Sequence, residues 1–152
     1  MTTLHRVKEI YIGYDAAHKA TLTGIKSVSW KDSDPFVLLP IPASENVIIY
    51  QEIKPILWEI TLICLDVTSL YTAFYETDVS SAASNQYAIN PATQKRTKIE
   101  YFKIRAYDHA GTLVTYNVTD ARVKSIGISE LFEEGGEAAW VVTLYAKNVV
   151  KE

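Results

Sequence analysis

Apolar and polar positions along this chain alternate with a period of two over most of its length, the signature of half-buried β-strands. Val7, Ile10 and Ile12 mark a first strand ending near Gly13-Tyr14. The run ATLTGIKSVSW (20–30) continues the pattern, with Gly24 interrupting it as at a bulge or tight turn and Trp30 at the core or its rim. VIIYQE (47–52) and LWEITLICLD (57–66) are strands by their β-branched and aromatic content. In the second, Trp58, Ile60, Leu62 and Cys64 alternate with Glu59 and Thr61, so one face is buried, and Ile63 and Leu65 predict cover on the other. The last third reads as three long strands: KRTKIEYFKIRAYD (95–108), TLVTYNVTDARVKSI (112–126) and, after GISELFEEGGE, AAWVVTLYAKNVV (138–150). Each exceeds the usual length of about 5–6 residues.

One segment changes period. Val67, Leu70, Tyr71, Phe74 and Tyr75 recur at helical spacing and predict an amphipathic helix over 67–76, capped by Asp66 or Thr68 and plugging one end of the sheets. Two further segments read as long loops. Residues 31–46 carry Pro35, Pro40 and Pro42, which forbid a regular central strand or helix. Yet Phe36, Val37, Leu38, Leu39 and Ile41 are strongly apolar, so this loop must cover its own core or a neighbour. Residues 78–94 are rich in Ser, Ala and Asn and lack periodicity. The expected fold is mainly β: a β-sandwich or small barrel of antiparallel strands with one short flanking helix, in a single domain spanning 1–152.

Composition narrows the classes. Of 152 residues, 48% are hydrophobic and 22% charged, ordinary for a globular chain able to bury its own core. Tyrosine stands out at 10 against 4 Phe, which suits half-buried sheet faces and interfaces. A net charge of −3 gives no bulk attraction to nucleic acid or acidic membranes. The lone Cys64 lies in an apolar run and reads as a small buried hydrophobe, from a reducing compartment. No signal-peptide core and no membrane-spanning apolar run is visible, so membrane insertion is not expected.

Chemistry is sparse. His5, His18 and His109 are scattered without metal-ligand spacing, and GxSxG, GxGxxG and GxxxxGK[ST] are all missing. No catalytic residue, cofactor or metal is expected. Glu130, Glu133, Glu134 and Glu137 lack the alternation of a calcium loop and read as a solvated segment. Lys95, Arg96, Lys98, Lys103 and Arg105 interleave with Tyr101, Phe102 and Tyr107, a mixture that also occurs where single-stranded nucleic acid is held. Tyr101, Lys103, Arg105 and Tyr107 fall on one face and Phe102 and Ile104 on the other, so a solvated or subunit-facing strand is the simpler reading.

These features together resemble the tube proteins of phage tails and related contractile injection systems, including the type VI secretion tube. TLTGIKSVSW (21–30) followed by a long loop matches the family's early β segment, and LWEITLICLDVTSLYTAFYE (57–76) its strand-then-helix element. The ending resembles the family's closing strand pair at Asn117, Ala121, Val123, Ser125, Gly136, Glu137, Ala146 and Val149. The polar stretch 78–94 is longer than the family pattern. The resemblance implies a structural protein, not an enzyme, that forms hexameric rings stacking into a hollow tail tube. It would act in a virion tail after assembly in the host cytoplasm. Its partners would be its own copies, then sheath or baseplate proteins, with DNA only as non-specific cargo. Phe36, Val37, Leu38, Leu39 and Ile41 would make subunit contacts; Tyr101, Lys103, Arg105 and Tyr116 would face the lumen or a neighbour. The competing expectation is a monomeric β-barrel binding a small apolar ligand among its tyrosines.

Overall fold

Two five-stranded antiparallel sheets and a separate two-stranded ribbon make up the fold. The first sheet runs β1 (Thr2–Leu4), β4 (Ile25–Asp32), β7 (Trp58–Cys64), β11 (Trp140–Ala146), β10 (Arg122–Ile128). The second runs β12 (Asn148–Lys151), β9 (Leu113–Thr119), β8 (Tyr101–Tyr107), β2 (Val7–Gly13), β3 (Lys19–Leu22). The ribbon pairs β5 (Phe36–Pro40) with β6 (Ile48–Glu52). The structure, a computed structural model, describes residues 2–4, 6–32, 36–40, 48–52, 57–75, 87–88, 96–128 and 139–152, with backbone alone for Thr2, 36–40 and 48–52.

Period-two patterning dictates which side chains fill the interior. Val28, Ile60, Leu62, Val142 and Leu144 from the first sheet join Ile10, Ile12, Leu22, Phe102 and Ile104 from the second in one buried cluster. Each fully buried aliphatic side chain contributes about 1.5–3 kcal/mol relative to exposure. The sheets form a sandwich and do not close into a barrel, which corrects the ligand-barrel expectation: side chains occupy the interior that a ligand would need. Cys64 is a buried hydrophobe as expected, its thiol pushed up in pKa by burial. Ile63, on the opposite face of β7, is half-buried.

The helix α1 (Val67–Phe74) is capped by Asp66, whose carboxylate accepts from the Ser69 N–H at 3.2 Å. Leu70, Ala73 and Phe74 enter the core, whereas Val67 and Tyr71 stay exposed. The helix therefore caps the end of the first sheet where Cys64 lies opposite Ile25 and Trp140.

Three expectations are corrected. The run 112–126 is two strands, broken at Asp120 (φ 52°), with β9 in the second sheet and β10 in the first. The run 138–150 breaks likewise at Lys147, whose N–H donates to the Thr119 carbonyl at 2.8 Å. Both runs cross between sheets at one corner. Inward residues of both sheets point into the same core, and across the bend their spacing widens from two to three, from Val118 to Ala121, before resuming at Val123. Asp tolerates the left-handed backbone that the corner requires. The run 95–108 becomes a strand only at Tyr101, Ile99 making a single bridge to Ala121.

The stretch 31–46 is also less irregular than expected. β4 extends to Asp32, and 36–40 forms a strand, with Pro40 at its end opposite Ile48. A proline is tolerated there because, among the described residues, each ribbon strand pairs on one side only and the other side needs no donor. Within 78–94, Tyr87 and Ala88 are described and buried; the Ala88 N–H donates to the Phe74 carbonyl at 3.1 Å. The remainder of that stretch lies outside the described residues.

Candidate functional site

The outward face of the second sheet gathers most of the polar side chains singled out from the sequence. Tyr101, Lys103 and Arg105 alternate with the inward Phe102, Ile104 and Ala106. Tyr116 does not join them. It lies opposite Ile104 in the register, and directly paired residues share a face. Its ring meets the buried Trp30 of the first sheet edge-on, centroids 4.9 Å apart, so it ties the two sheets together.

Partners that the sequence reading did not single out come from β2, β3 and the chain end. Arg105 donates to the Tyr11 hydroxyl at 2.9 Å and to the Glu9 carboxylate. Tyr11 in turn donates to Glu9 at 2.6 Å. The Tyr11 hydrogen bond, followed by Arg105, holds the Glu9 carboxyl below its ordinary pKa against the opposing effect of partial burial. The same bond holds the Tyr11 phenol above its own ordinary value. Lys103 pairs with Glu152, which raises the lysine and lowers the carboxylate. Lys19 sits 4.9 Å from the Tyr11 ring centroid and 6.0 Å from that of Tyr101, and Lys103 5.6 Å from Tyr101. Three cations meet two carboxylates, so the face is close to charge balance. The available signal was the outward parity of Glu9 and Tyr11 on the first strand.

The β5–β6 ribbon leaves the sandwich between Asp32 and Trp58, which are themselves paired. Among the described residues its backbone pairs with neither sheet. Phe36, Val37, Leu38 and Leu39 fall on β5; Ile41 lies outside the described residues. At the opposite end, Tyr71 stacks on Tyr75 (4.7 Å) and meets Trp140 edge-on (6.5 Å). Ile128, paired with Trp140 at the end of β10, is 62% exposed. Among the described residues β10 pairs only with β11, leaving one side of a seven-residue strand free. An unpaired edge of that length is a template for another chain.

Among the described residues no three His, Cys, Asp or Glu side chains converge. His18 Nδ1 lies 2.8 Å from Asp15 Oδ1, but both side chains are nearly half exposed on the turn between β2 and β3. That carboxylate also accepts the Ala17 and His18 N–H groups, which makes the pair a turn-stabilising device.

No protein-family model matches the sequence, and no curated protein does. Solved structures do. A chain of the PVC sheath-tube complex of an extracellular contractile injection system, in its extended state, aligns over 97% of this chain and 88% of its own, with a TM-score of 0.52 and 18% identity. A chain of the SPP1 tail tube aligns over 97% of this chain and 77% of its own, with a TM-score of 0.50 and 14% identity. This chain therefore has the fold found in tail-tube proteins, across nearly its whole length.

Proposed function

We propose that this chain is the structural subunit of a tail tube, its copies closing into hexameric rings that stack around a hollow lumen. The observation that carries the reading is the fold likeness to the PVC sheath-tube and SPP1 tail-tube chains over 97% of the sequence. Two features of the fold support it: among the described residues, one edge of β10 is unpaired and the β5–β6 ribbon pairs with neither sheet. Strand edges left open in one copy are removed when copies complete each other's sheets.

In this reading Phe36, Val37, Leu38, Leu39 and Ile41 contact a neighbouring subunit. Tyr101, Lys103 and Arg105 face the lumen or the next copy. The near-balance of charge on that face suits a conduit: DNA or another polyanion would pass as non-specific cargo without the counterion-release grip of a basic surface. The tube would belong to a virion tail or an injection system, with sheath or baseplate proteins on its outside and ends.

Negative-stain electron microscopy of the purified protein at rising concentration tests the proposal. Annular particles with a central hole, passing into tubes, are the expected result. Monomers at every concentration and salt would remove it.

A further inference from the structure

The two halves of β10 differ. In the first half Arg122 and Lys124 are exposed cations, and the pairing with β11 slips between Val123 and Ser125, which leaves Lys124 bulged. Charge and a bulge are the means by which an edge strand discourages stray pairing. The second half has neither. Ser125 to Ile128 pair regularly with Thr143 to Trp140. Ile126 packs only partly against the core, Ile128 is 62% exposed, and a Cβ added at Gly127 would meet nothing within 4 Å. Among the described residues no strand lies on the far side of β10.

The ribbon strand β6 has the same division in the opposite order. Its sequence, IIYQE, begins with three apolar residues and ends in Gln51 and Glu52. Among the described residues it pairs only with β5, so within one copy β6 and β10 are not partners. A two-stranded ribbon alone is at best marginally stable. This one carries FVLL in β5 and IIY in β6 without polar alternation, so both of its faces need cover.

We infer that β6 of one copy adds antiparallel to the open edge of β10 in a second copy, with Ile48 opposite Ile128 and Gln51 opposite Ser125. The inference rests on the tube reading and deepens it, by naming the two strands through which copies join. Directly paired residues share a face. In this register Ile48 and Tyr50 fall on the core-side face with Ile128 and Ile126, and extend the apolar layer past its half-buried margin. Ile49 falls opposite Gly127, where the face is open, and Gln51 opposite the polar Ser125. The next position brings Glu52 beside Lys124. Parallel pairing would undo the match, setting Glu52 at the Ile128 end and Ile48 at the cations. β5 fits less well: it has no charged residue and ends in Pro40, which has no N–H to donate. Because the two joining surfaces differ, the contact is head to tail and repeats from copy to copy.

Disulfide trapping in the full chain tests the register. Ile49→Cys and Gly127→Cys are made in separate chains, then mixed under mild oxidation; the native Cys64 is fully buried. Directly opposed antiparallel residues have Cα atoms about 4.5–5.5 Å apart, within the span of a disulfide. The mixture, but neither variant alone, should give a covalent dimer of twice 17.1 kDa on a non-reducing gel. Val37→Cys, on the other ribbon strand, should give none with Gly127→Cys. A second measurement needs no new thiol: K124E and E52K should each raise the concentration needed for assembly severalfold, and the two together in one chain should restore it. Rings that form without the trapped dimer, a cross-link found only within chains carrying both cysteines, or no rescue by the double charge exchange would each overturn the inference and leave the tube reading intact. A wild-type protein that forms no oligomer overturns the tube reading itself, and this contact with it.

Discussion

Gly24 offers a sharp test of how the first sheet and the helix are joined. It has φ 71°, a left-handed backbone, in the turn between β3 and β4. A Cβ added there would lie 2.6 Å from the Cβ of Asp66 and 3.1 Å from its backbone nitrogen. The two turns are also cross-tied: the Leu65 N–H donates to the Gly24 carbonyl at 2.9 Å, and Thr23 Oγ1 donates to the Asp66 carboxylate at 3.0 Å. Gly24→Ala thus meets two penalties. The left-handed backbone costs about 1–2 kcal/mol for a residue with a Cβ. The overlap with Asp66, which is a backbone-proximal atom and cannot swing away, costs about 1–3 kcal/mol more. The sum, about 2–5 kcal/mol, lowers the melting temperature by roughly 10 °C in a domain of this size. Gly111 supplies the control: its φ is 85°, but nothing lies within 4 Å of an added Cβ, so Gly111→Ala meets the backbone penalty alone. Gly127, with no positive φ and nothing within 4 Å, is the second control and should be near neutral. Urea unfolding at pH 7, at a concentration too low for assembly, should rank them Gly24→Ala, Gly111→Ala, Gly127→Ala from least to most stable. Equal losses at Gly24 and Gly111 would show that the β3–β4 turn does not touch the helix N-terminus as described.

Other outcomes follow from single groups. Phe74→Ala removes a fully buried ring that the helix plants in the core and should cost about 3–5 kcal/mol in the same urea assay. The folded pKa of Glu9 is depressed, so its contribution is present above the ordinary carboxylate pKa and lost as pH falls through the lower, folded value; Glu9→Gln should flatten that part of the acid limb of stability against pH. Tyr87 is pushed up to about 12 by burial, so its neutral phenol supports folding fully below pH 10 and loses that effect as pH rises toward 12. Tyr87→Phe should therefore raise resistance to alkali, and the wild-type minus variant absorbance titration should show one phenol ionising only near the alkaline unfolding transition.

The sheets were legible because one face of each is wet. In β2, β7 and β8 the alternation of Ile12 with Tyr11, Leu62 with Thr61 and Ile104 with Lys103 reports the face directly. The helix was legible from its change of period and from Asp66 before it. The corner at Asp120 was not, because its one mark in the pattern is a step of three between inward positions, from Val118 to the small Ala121, set within an otherwise unbroken β-like run. The β5 strand was concealed by Pro40 and by Pro35 and Pro42 on either side of it, which argue against a central strand but not against a ribbon that, among the described residues, pairs with neither sheet. For the surface, strand parity placed Tyr101, Lys103 and Arg105 together correctly. Tyr116 falls on the opposite parity, because the position of β9 relative to β8 depends on register across the Asp108–Thr112 turn, which spacing along the chain does not determine. The partners Glu9 and Glu152 were invisible for a related reason: pairing across the sheet brings together residues 96 and 49 positions apart.

Native mass spectrometry of the purified chain tests the central claim most directly, since it counts copies. Closed rings of six predict a discrete species at six times 17.1 kDa, about 103 kDa, and multiples of it as rings stack. A spectrum holding only the 17.1 kDa monomer at every concentration would contradict the account.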